Sequence, residues 1–205
     1  MPPVTPHPEK IRGFACAQDF ENWLKQNHDQ EDELWLKIHK KVAGLPTVTY
    51  AEALDVALCW GWIDGQKKSF DDRSFLQRFT PRRGKSCWSQ INRGHVARLI
   101  AAGRMTPHGQ KQIDAALADG RWEAAYASGR NMQFPADLQA AIEADPKARE
   151  TFFTLNAANR YALAFRTHNL KTEAGRKKRI AEFVKMLARG ETLHPNGVLG
   201  KARKS

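Results

Sequence analysis

The segment from Thr49 to Asp64 constrains the fold of this chain more than any other, because it carries signals for both the start and the end of a helix. Thr49 followed by Glu52 is a capping-box pattern, in which each side chain satisfies a free backbone N–H of the first helical turn. Gly61 suits the left-handed residue that ends a helix. The apolar stripe of the predicted helix consists of Tyr50, Ala53, Leu54, Ala57 and Leu58.

Acidic side chains accompany this helix and the strand predicted after it. Glu52 and Asp55 fall opposite the apolar stripe, together with Cys59. Trp62 and Asp64 share one face of the following strand. Two interpretations stay open for these carboxylates. Glu52 caps the helix and Asp55 is solvated, or one of the three acids serves as a general acid or base after burial raises its pKa.

Apolar patterns on either side of this segment predict an α+β fold. Leu34, Leu36 and Ile38 alternate with other residue types, as in a strand with one buried face. The predicted strands span residues 11–17, 33–40, 62–70 and 74–82. Because no regular βαβ repeat is visible, we expect a small antiparallel sheet packed with helices, followed by a C-terminal helical, bundle-like subdomain.

Changes in composition predict five segments. The N-terminus is rich in proline, the C-terminus is basic, and the chain is helical from Pro135 onward. The segments are 1–9 (disordered), 10–120 (α+β domain), 121–134 (connector), 135–190 (helical subdomain) and 191–205 (basic disordered tail).

A cationic turn at residues 81–86 follows the predicted hairpin and precedes a helix that starts near Trp88. It ends in Gly-Lys-Ser, as a phosphate-binding loop does, but the first glycine of that pattern would fall on Phe79. The Walker motif is therefore excluded. Cations and free N–H groups before a helix still form a sound anion site, and a solvated basic loop is the alternative.

We expect the aromatic residues near Gly61 and this turn to share one ligand pocket, since aromatic walls with a few convergent polar groups are typical of ligand sites. Packing in the core is the alternative for the two tryptophans that flank Gly61. The predicted ligand-binding residues are Trp60, Trp62, Asp64, Arg82, Arg83, Lys85, Ser86 and Trp88.

The positive charge of the chain is unevenly distributed. Of the net +11, residues 49–110 carry ten cationic and five acidic side chains, and residues 156–205 carry twelve and three. Such regions attract phosphates, nucleic acid or anionic surfaces, and they repel cationic peptides.

Several classes of site and location are excluded or disfavoured by the sequence. Three widely spaced cysteines without a CxxC pair, and histidines without HxxxH or HExxH spacing, predict no metal site, and no cofactor motif is complete. No apolar run is long enough to span a bilayer. The N-terminus lacks the apolar region of a secretory signal, so we expect a cytoplasmic protein.

The ordered motifs EALDVALCWGWIDG, RFTPR, SCWSQIN and GRMTPHG resemble those of the YdeI/OmpD-associated family, whose members are also labelled bacteriocin-protection proteins. The resemblance covers roughly Ile11 to Gly190 and includes a helical part similar to the family's small OmdA-type domain. It implies resistance to cationic antimicrobial peptides and association with an outer-membrane porin, and it supplies no catalytic residues.

Three functions follow as hypotheses. The first is binding of a small or anionic ligand in the pocket described above, with a role in stress or antimicrobial resistance. The second is an enzyme that uses Asp64, Asp55 or Glu52 as acid or base in the same pocket. The third is a nucleic-acid binder, which the charge supports but no recognition motif does. The sequence leaves the oligomeric state undetermined.

Overall fold

A computed structural model describes residues 5–127, 132–170 and 172–196 of the chain. The chain divides into two compact units, Met1–Ala125 and Tyr126–Ser205. A four-stranded sheet with helices forms the first unit and helices form the second, so the predicted α+β class is confirmed.

The first unit alternates strands and helices before it ends in two helices. Its elements are β1 (Ile11–Gly13), α1 (Ala17–Asn27), β2 (Leu34–His39), α2 (Tyr50–Cys59), β3 (Trp62–Ser69), β4 (Ser74–Pro81), α3 (Gln90–Ala101) and α4 (Pro107–Ala118). Short 3-10 turns cover Pro8–Lys10 and Lys41–Ala43.

The sheet is mixed rather than wholly antiparallel, with the order β1-β2-β4-β3. β1 pairs with β2 in parallel, whereas the β2–β4 and β3–β4 pairs are antiparallel. The parallel pair arises because α1 carries the chain back across the sheet between β1 and β2, which is the crossover that parallel neighbours require. The sequence analysis predicted both strands but expected an antiparallel sheet, because a single crossover does not produce a regular βαβ repeat.

Helix α2 is buried on two sides. Both cap signals are confirmed, since Thr49 and Glu52 form the capping box and Gly61 has a φ of 74°. Ala53 and Ala57 pack toward the sheet and α1, while Leu54 and Leu58 belong to a second cluster with α3 and α4. Cys59 is buried in that second cluster, which corrects the prediction that it lies on the outer face.

The core on the helix-covered face of the sheet is large and aromatic. As predicted, Leu34, Leu36 and Ile38 point into it from β2. Its buried members are Phe20, Leu24, Leu34, Leu36, Ile38, Val48, Ala53, Val56, Ala57, Trp62 and Phe79.

The second unit consists of four helices in the part that the structure describes. They are α5 (Ala136–Glu143), α6 (Pro146–Thr154), α7 (Ala157–His168) and α8 (Glu173–Ala188). Side chains of Asp145, Asn156 and Thr172 cap the last three by accepting backbone N–H groups. Their shared core is Leu138, Ile142, Ala148, Leu155, Leu163, Ile180, Phe183 and Leu187.

The predicted terminal and connecting segments lie partly outside the described residues, which omit 1–4, 128–131, 171 and 197–205. The segment before the last of these gaps contacts α7, since the His194 N–H donates to the Asn159 Oδ1 atom at 2.9 Å. None of the helices within the described residues is long and apolar enough to cross a bilayer.

Candidate functional site

Two of the three tryptophans predicted to line a ligand pocket are enclosed in the core. Trp62 is 1% exposed, its Nε1 atom donates to the His28 carbonyl at 3.1 Å, and its ring meets Trp23 edge-on. Trp88 is 2% exposed and packs edge-on against Trp122 with centroids 4.9 Å apart. Neither ring can form the wall of an open cleft, so Trp62 follows the core-packing alternative, and Trp88 is a core residue as well.

Arg82 is a structural residue rather than an exposed ligand clamp. Its guanidinium lies 3.7 Å from the centre of the Trp88 ring, and Nη1 donates to the Cys87 carbonyl at 3.0 Å. Its backbone N–H donates to the Gly61 carbonyl at 2.9 Å. A buried cation needs such partners, and these contacts fix the turn against the end of α2.

The rest of the cationic turn faces solvent. Arg83 and Lys85 are exposed, and the Ser86 hydroxyl accepts the Arg83 N–H at 3.1 Å. The helix that follows already has its own cap, because the Ser89 hydroxyl accepts the Asn92 N–H. The predicted pocket is therefore divided, with Arg82 and Trp88 in the interior and the remaining cations on the surface.

The three candidate acids are each engaged. Glu52 accepts hydrogen bonds from the backbone and side chain of Thr49, and these bonds lower the pKa of its carboxyl. Asp55 is 15% exposed rather than solvated and pairs with Arg98 through oxygens at 2.6 and 2.8 Å. Asp64 accepts the hydroxyl of the Tyr50 side chain at 2.8 Å.

Trp60 has a polar neighbourhood that sequence reasoning missed. Its ring stacks on His108 at 5.5 Å with an interplanar angle of 13°, and the His108 Nδ1 atom lies 3.0 Å from the Nε2 atom of His28. Since the Leu24 carbonyl can only accept, His28 in its neutral form donates from Nδ1 and accepts at Nε2. His108 then donates from Nδ1, which leaves its Nε2 atom as an acceptor.

Two glycines make this neighbourhood possible by bringing the end of α2 against the start of α4. A Cβ atom on Gly109 would lie 2.3 Å from the Cys59 carbonyl oxygen, and one on Gly61 would lie 2.9 Å from the His108 carbonyl oxygen. The Thr106 hydroxyl donates to the same Cys59 carbonyl at 2.6 Å. The WGW and TPHG motifs were the sequence signal for this contact. The sequence alone does not show that the two motifs lie close together in space.

The described residues contain no group of three His, Cys, Asp or Glu side chains arranged to hold a metal ion. The histidine pair joins the end of α1 to the start of α4 and offers a ring nitrogen to a hydrogen-bond donor. Of the predicted pocket residues, Trp60 packs against both rings of the pair, and Trp62 donates to the His28 carbonyl.

A cavity of about 440 Å³ lies in the second unit, where no site was predicted. The Phe134 and Phe152 rings pack at 5.1 Å on its wall, and the Arg160 guanidinium lies 5.1 Å from the centre of Phe152. The cavity is lined by Met132, Phe134, Gln139, Phe152, Ala157, Arg160, Tyr161 and Ala164.

The polar groups of this cavity are held in place. Arg160 donates from Nε to the Leu155 carbonyl at 3.1 Å and from Nη2 to the Phe153 carbonyl at 3.3 Å. Burial raises the pKa of the Tyr161 hydroxyl above its ordinary value. The helical spacing of Tyr161 and its stacked neighbour Phe165 was a sequence signal for this wall.

Comparison with known proteins assigns the two units to two different family models. Residues 12–112 match a domain of unknown function (DUF8412). Residues 131–190 match the family described as bacteriocin-protection, YdeI or OmpD-associated. No curated protein and no solved structure matches the chain.

These matches limit the resemblance expected from the sequence to a shorter part of the chain. The WGWIDG, RFTPR and SCWSQIN motifs fall within the first match, whereas the second covers the helical unit with its aromatic cavity. The resemblance to the bacteriocin-protection, YdeI or OmpD-associated family is therefore shown for the C-terminal part of the chain, residues 131–190.

Proposed function

We propose that the protein binds a small aromatic anion in the cavity of its C-terminal unit. The observation that carries this proposal is a positioned guanidinium beside aromatic walls in a cavity of about 440 Å³. Small-molecule sites range over roughly 300–1,000 Å³ and combine apolar walls with a few fixed polar groups.

The lining chemistry defines the ligand class. Arginine has five N–H donors, and the two carbonyl bonds of Arg160 use two of them, which leaves donors for a carboxylate. Phe134 and Phe152 offer ring faces and edges to a flat apolar body. The Tyr161 hydroxyl is a neutral donor at the same wall, and the Gln139 amide, which donates one N–H to Glu143 at 2.9 Å, has a second.

A role in antimicrobial resistance, which the family description suggests, would then depend on the bound small molecule. Direct sequestration of a cationic peptide is disfavoured because the chain carries a net charge of +11.

The alternative functions have weaker support. The lowered pKa of Glu52 opposes a role as general acid. Several cations that nucleic acid would need are already paired, including Arg78 with Glu33 at 2.6 Å and Arg176 with Asp137 at 2.6 Å. Each such pair would have to break before the cation could bind phosphate.

Thermal unfolding with benzoate, salicylate and indole-3-carboxylate tests the proposal, with benzyl alcohol as the uncharged comparison. A ligand that binds only the folded state raises Tm as its concentration exceeds Kd. We expect at least one carboxylate to raise Tm and benzyl alcohol to have a much smaller effect.

Two variants and a control locate the site. Arg160→Ala removes the cation, and Ala157→Leu narrows the cavity from an exposed position at the start of α7. Both should abolish the ligand-induced rise in Tm, whereas Arg149→Ala, which removes an exposed cation of α6 outside the lining, should preserve it. A shift that persists in both cavity variants, or no shift with any carboxylate, would refute the proposal.

A further inference from the structure

One end of the sheet in the first unit exposes apolar side chains on a loop rich in lysine. Val42 is 79% exposed, Leu45 is 51% exposed and Phe70 is 48% exposed. Single exposed apolar residues are ordinary on protein surfaces, but these three lie on two segments that are bonded to each other. We call Lys40, Lys41, Val42, Leu45 and Phe70 the apolar–basic end.

The loop and the adjacent β3–β4 turn form one fixed structure. The Lys40 N–H donates to the Arg73 carbonyl at 2.8 Å, and the Arg73 Nη2 atom donates to the Ala43 carbonyl at 2.7 Å. Gly44 takes the left-handed conformation with a φ of 64°, which closes the short 3-10 turn that carries Val42. The exposure of the apolar tips is therefore fixed by the backbone.

Positive charge surrounds these tips. The segments 37–45 and 67–73 carry six cationic and two acidic side chains. One of the acids, Asp71, lies 3.6 Å from the Lys37 ammonium and accepts the Arg73 N–H, so part of its charge is offset. The electrostatic partner of this end is therefore an anionic surface.

A cavity of about 570 Å³ opens beside the tips. Leu45, Tyr50 and Phe75 line it together with Lys40 and Lys41. It combines apolar walls with cations, which is the pairing that an acyl chain with an anionic headgroup requires.

We propose that the apolar–basic end docks on an anionic lipid bilayer, with Val42 and Leu45 inserted among the headgroups. Protruding tips favour a bilayer over a folded protein partner, because lipid accommodates them without a matching pocket. Lysines flanking the tips would add attraction to anionic lipids that weakens as salt screens the charges.

Flotation of the full chain with vesicles tests this proposal. Equimolar phosphatidylglycerol and phosphatidylcholine should bind the protein at low salt, and pure phosphatidylcholine should bind it much less. Val42→Asp/Leu45→Asp should weaken binding at least about tenfold because two apolar tips can no longer insert. Lys41→Gln should weaken it roughly fivefold through loss of one charge.

Matched controls come from α4 of the same unit. Leu117 has the same 51% exposure as Leu45, and Lys111 is exposed like Lys41, but neither lies at the apolar–basic end. Leu117→Asp and Lys111→Gln should bind vesicles as the wild type does. Equal loss of binding in the control and tip variants would overturn the proposal.

Two further outcomes would also overturn it. Absence of binding to anionic vesicles would mean that the apolar–basic end contacts a partner other than lipid. Equal binding to pure phosphatidylcholine would mean that the positive charge of this end does not contribute to binding. All five substituted side chains are exposed, so circular dichroism and Tm should show that every variant stays folded.

Discussion

Gly109→Ala should destabilise the first unit, although alanine is the better helix former. The added Cβ atom would lie 2.3 Å from the Cys59 carbonyl oxygen, 2.5 Å from the Met105 sulfur and 2.7 Å from the Leu58 carbonyl oxygen. Only the sulfur belongs to a movable side chain. The two carbonyls are backbone, so α4 must shift away from α2.

The expected cost follows from three terms. Overpacking costs about 1–3 kcal/mol, and loss of the Thr106–Cys59 hydrogen bond adds roughly 1 kcal/mol. Helix propensity returns up to about 1 kcal/mol. The net loss is about 2 kcal/mol, which corresponds to a fall in Tm of roughly 6–10 °C for a unit of this size.

Urea and thermal unfolding of the variant, followed by tryptophan fluorescence, measure this loss. Gly94→Ala is the matched control because it makes the same change inside α3, where an added Cβ would meet no atom within 4 Å. That control should gain about 0.5–1 kcal/mol in the free energy of unfolding. Equal stabilisation by the two substitutions would refute the close approach of α2 and α4.

Two further predictions concern single side chains of the first unit. Hydrogen bonds lower the pKa of Glu52, so its stabilisation is present above the unfolded pKa and is lost as the pH falls through the folded pKa. Glu52→Gln should therefore lower the free energy of unfolding at neutral pH by up to about 1 kcal/mol, and this loss should shrink as the pH falls below the ordinary glutamate pKa of 4.5, as measured by urea unfolding; a loss that does not change between neutral and acidic pH would contradict this. Burial raises the pKa of Cys59 to about 11, while Cys16 and Cys87 are exposed. Mass spectrometry after brief iodoacetamide treatment should find only the two exposed thiols labelled until the protein is unfolded, and labelling of Cys59 in the native state would be inconsistent with its burial.

Local signals predicted the elements well because they act within a few residues. Thr49, Glu52 and Gly61 fix both ends of α2 through caps that need no distant partner. The second buried face of that helix was missed, since the burial of Cys59 depends on α3 and α4, which follow much later in the chain.

The candidate site was less predictable for a related physical reason. Tryptophan and arginine are used both in ligand pockets and in cores, and sequence alone does not separate the two uses. The Arg82 guanidinium lies over the Trp88 ring inside the first unit, a contact that a pattern of residue types does not reveal. The cavity beside Arg160 forms where several helices meet, so the residue pattern of any one helix does not predict it.

The shared position of α2 has a consequence for how the first unit loses its structure. One side of the helix closes the aromatic core over the sheet, and the other side closes the cluster formed with α3 and α4. Unfolding of the core over the sheet would expose the alanines of α2 to water, and unfolding of the cluster with α3 and α4 would expose its leucines. The sheet and the two later helices are thereby coupled into a single cooperative transition through ten residues.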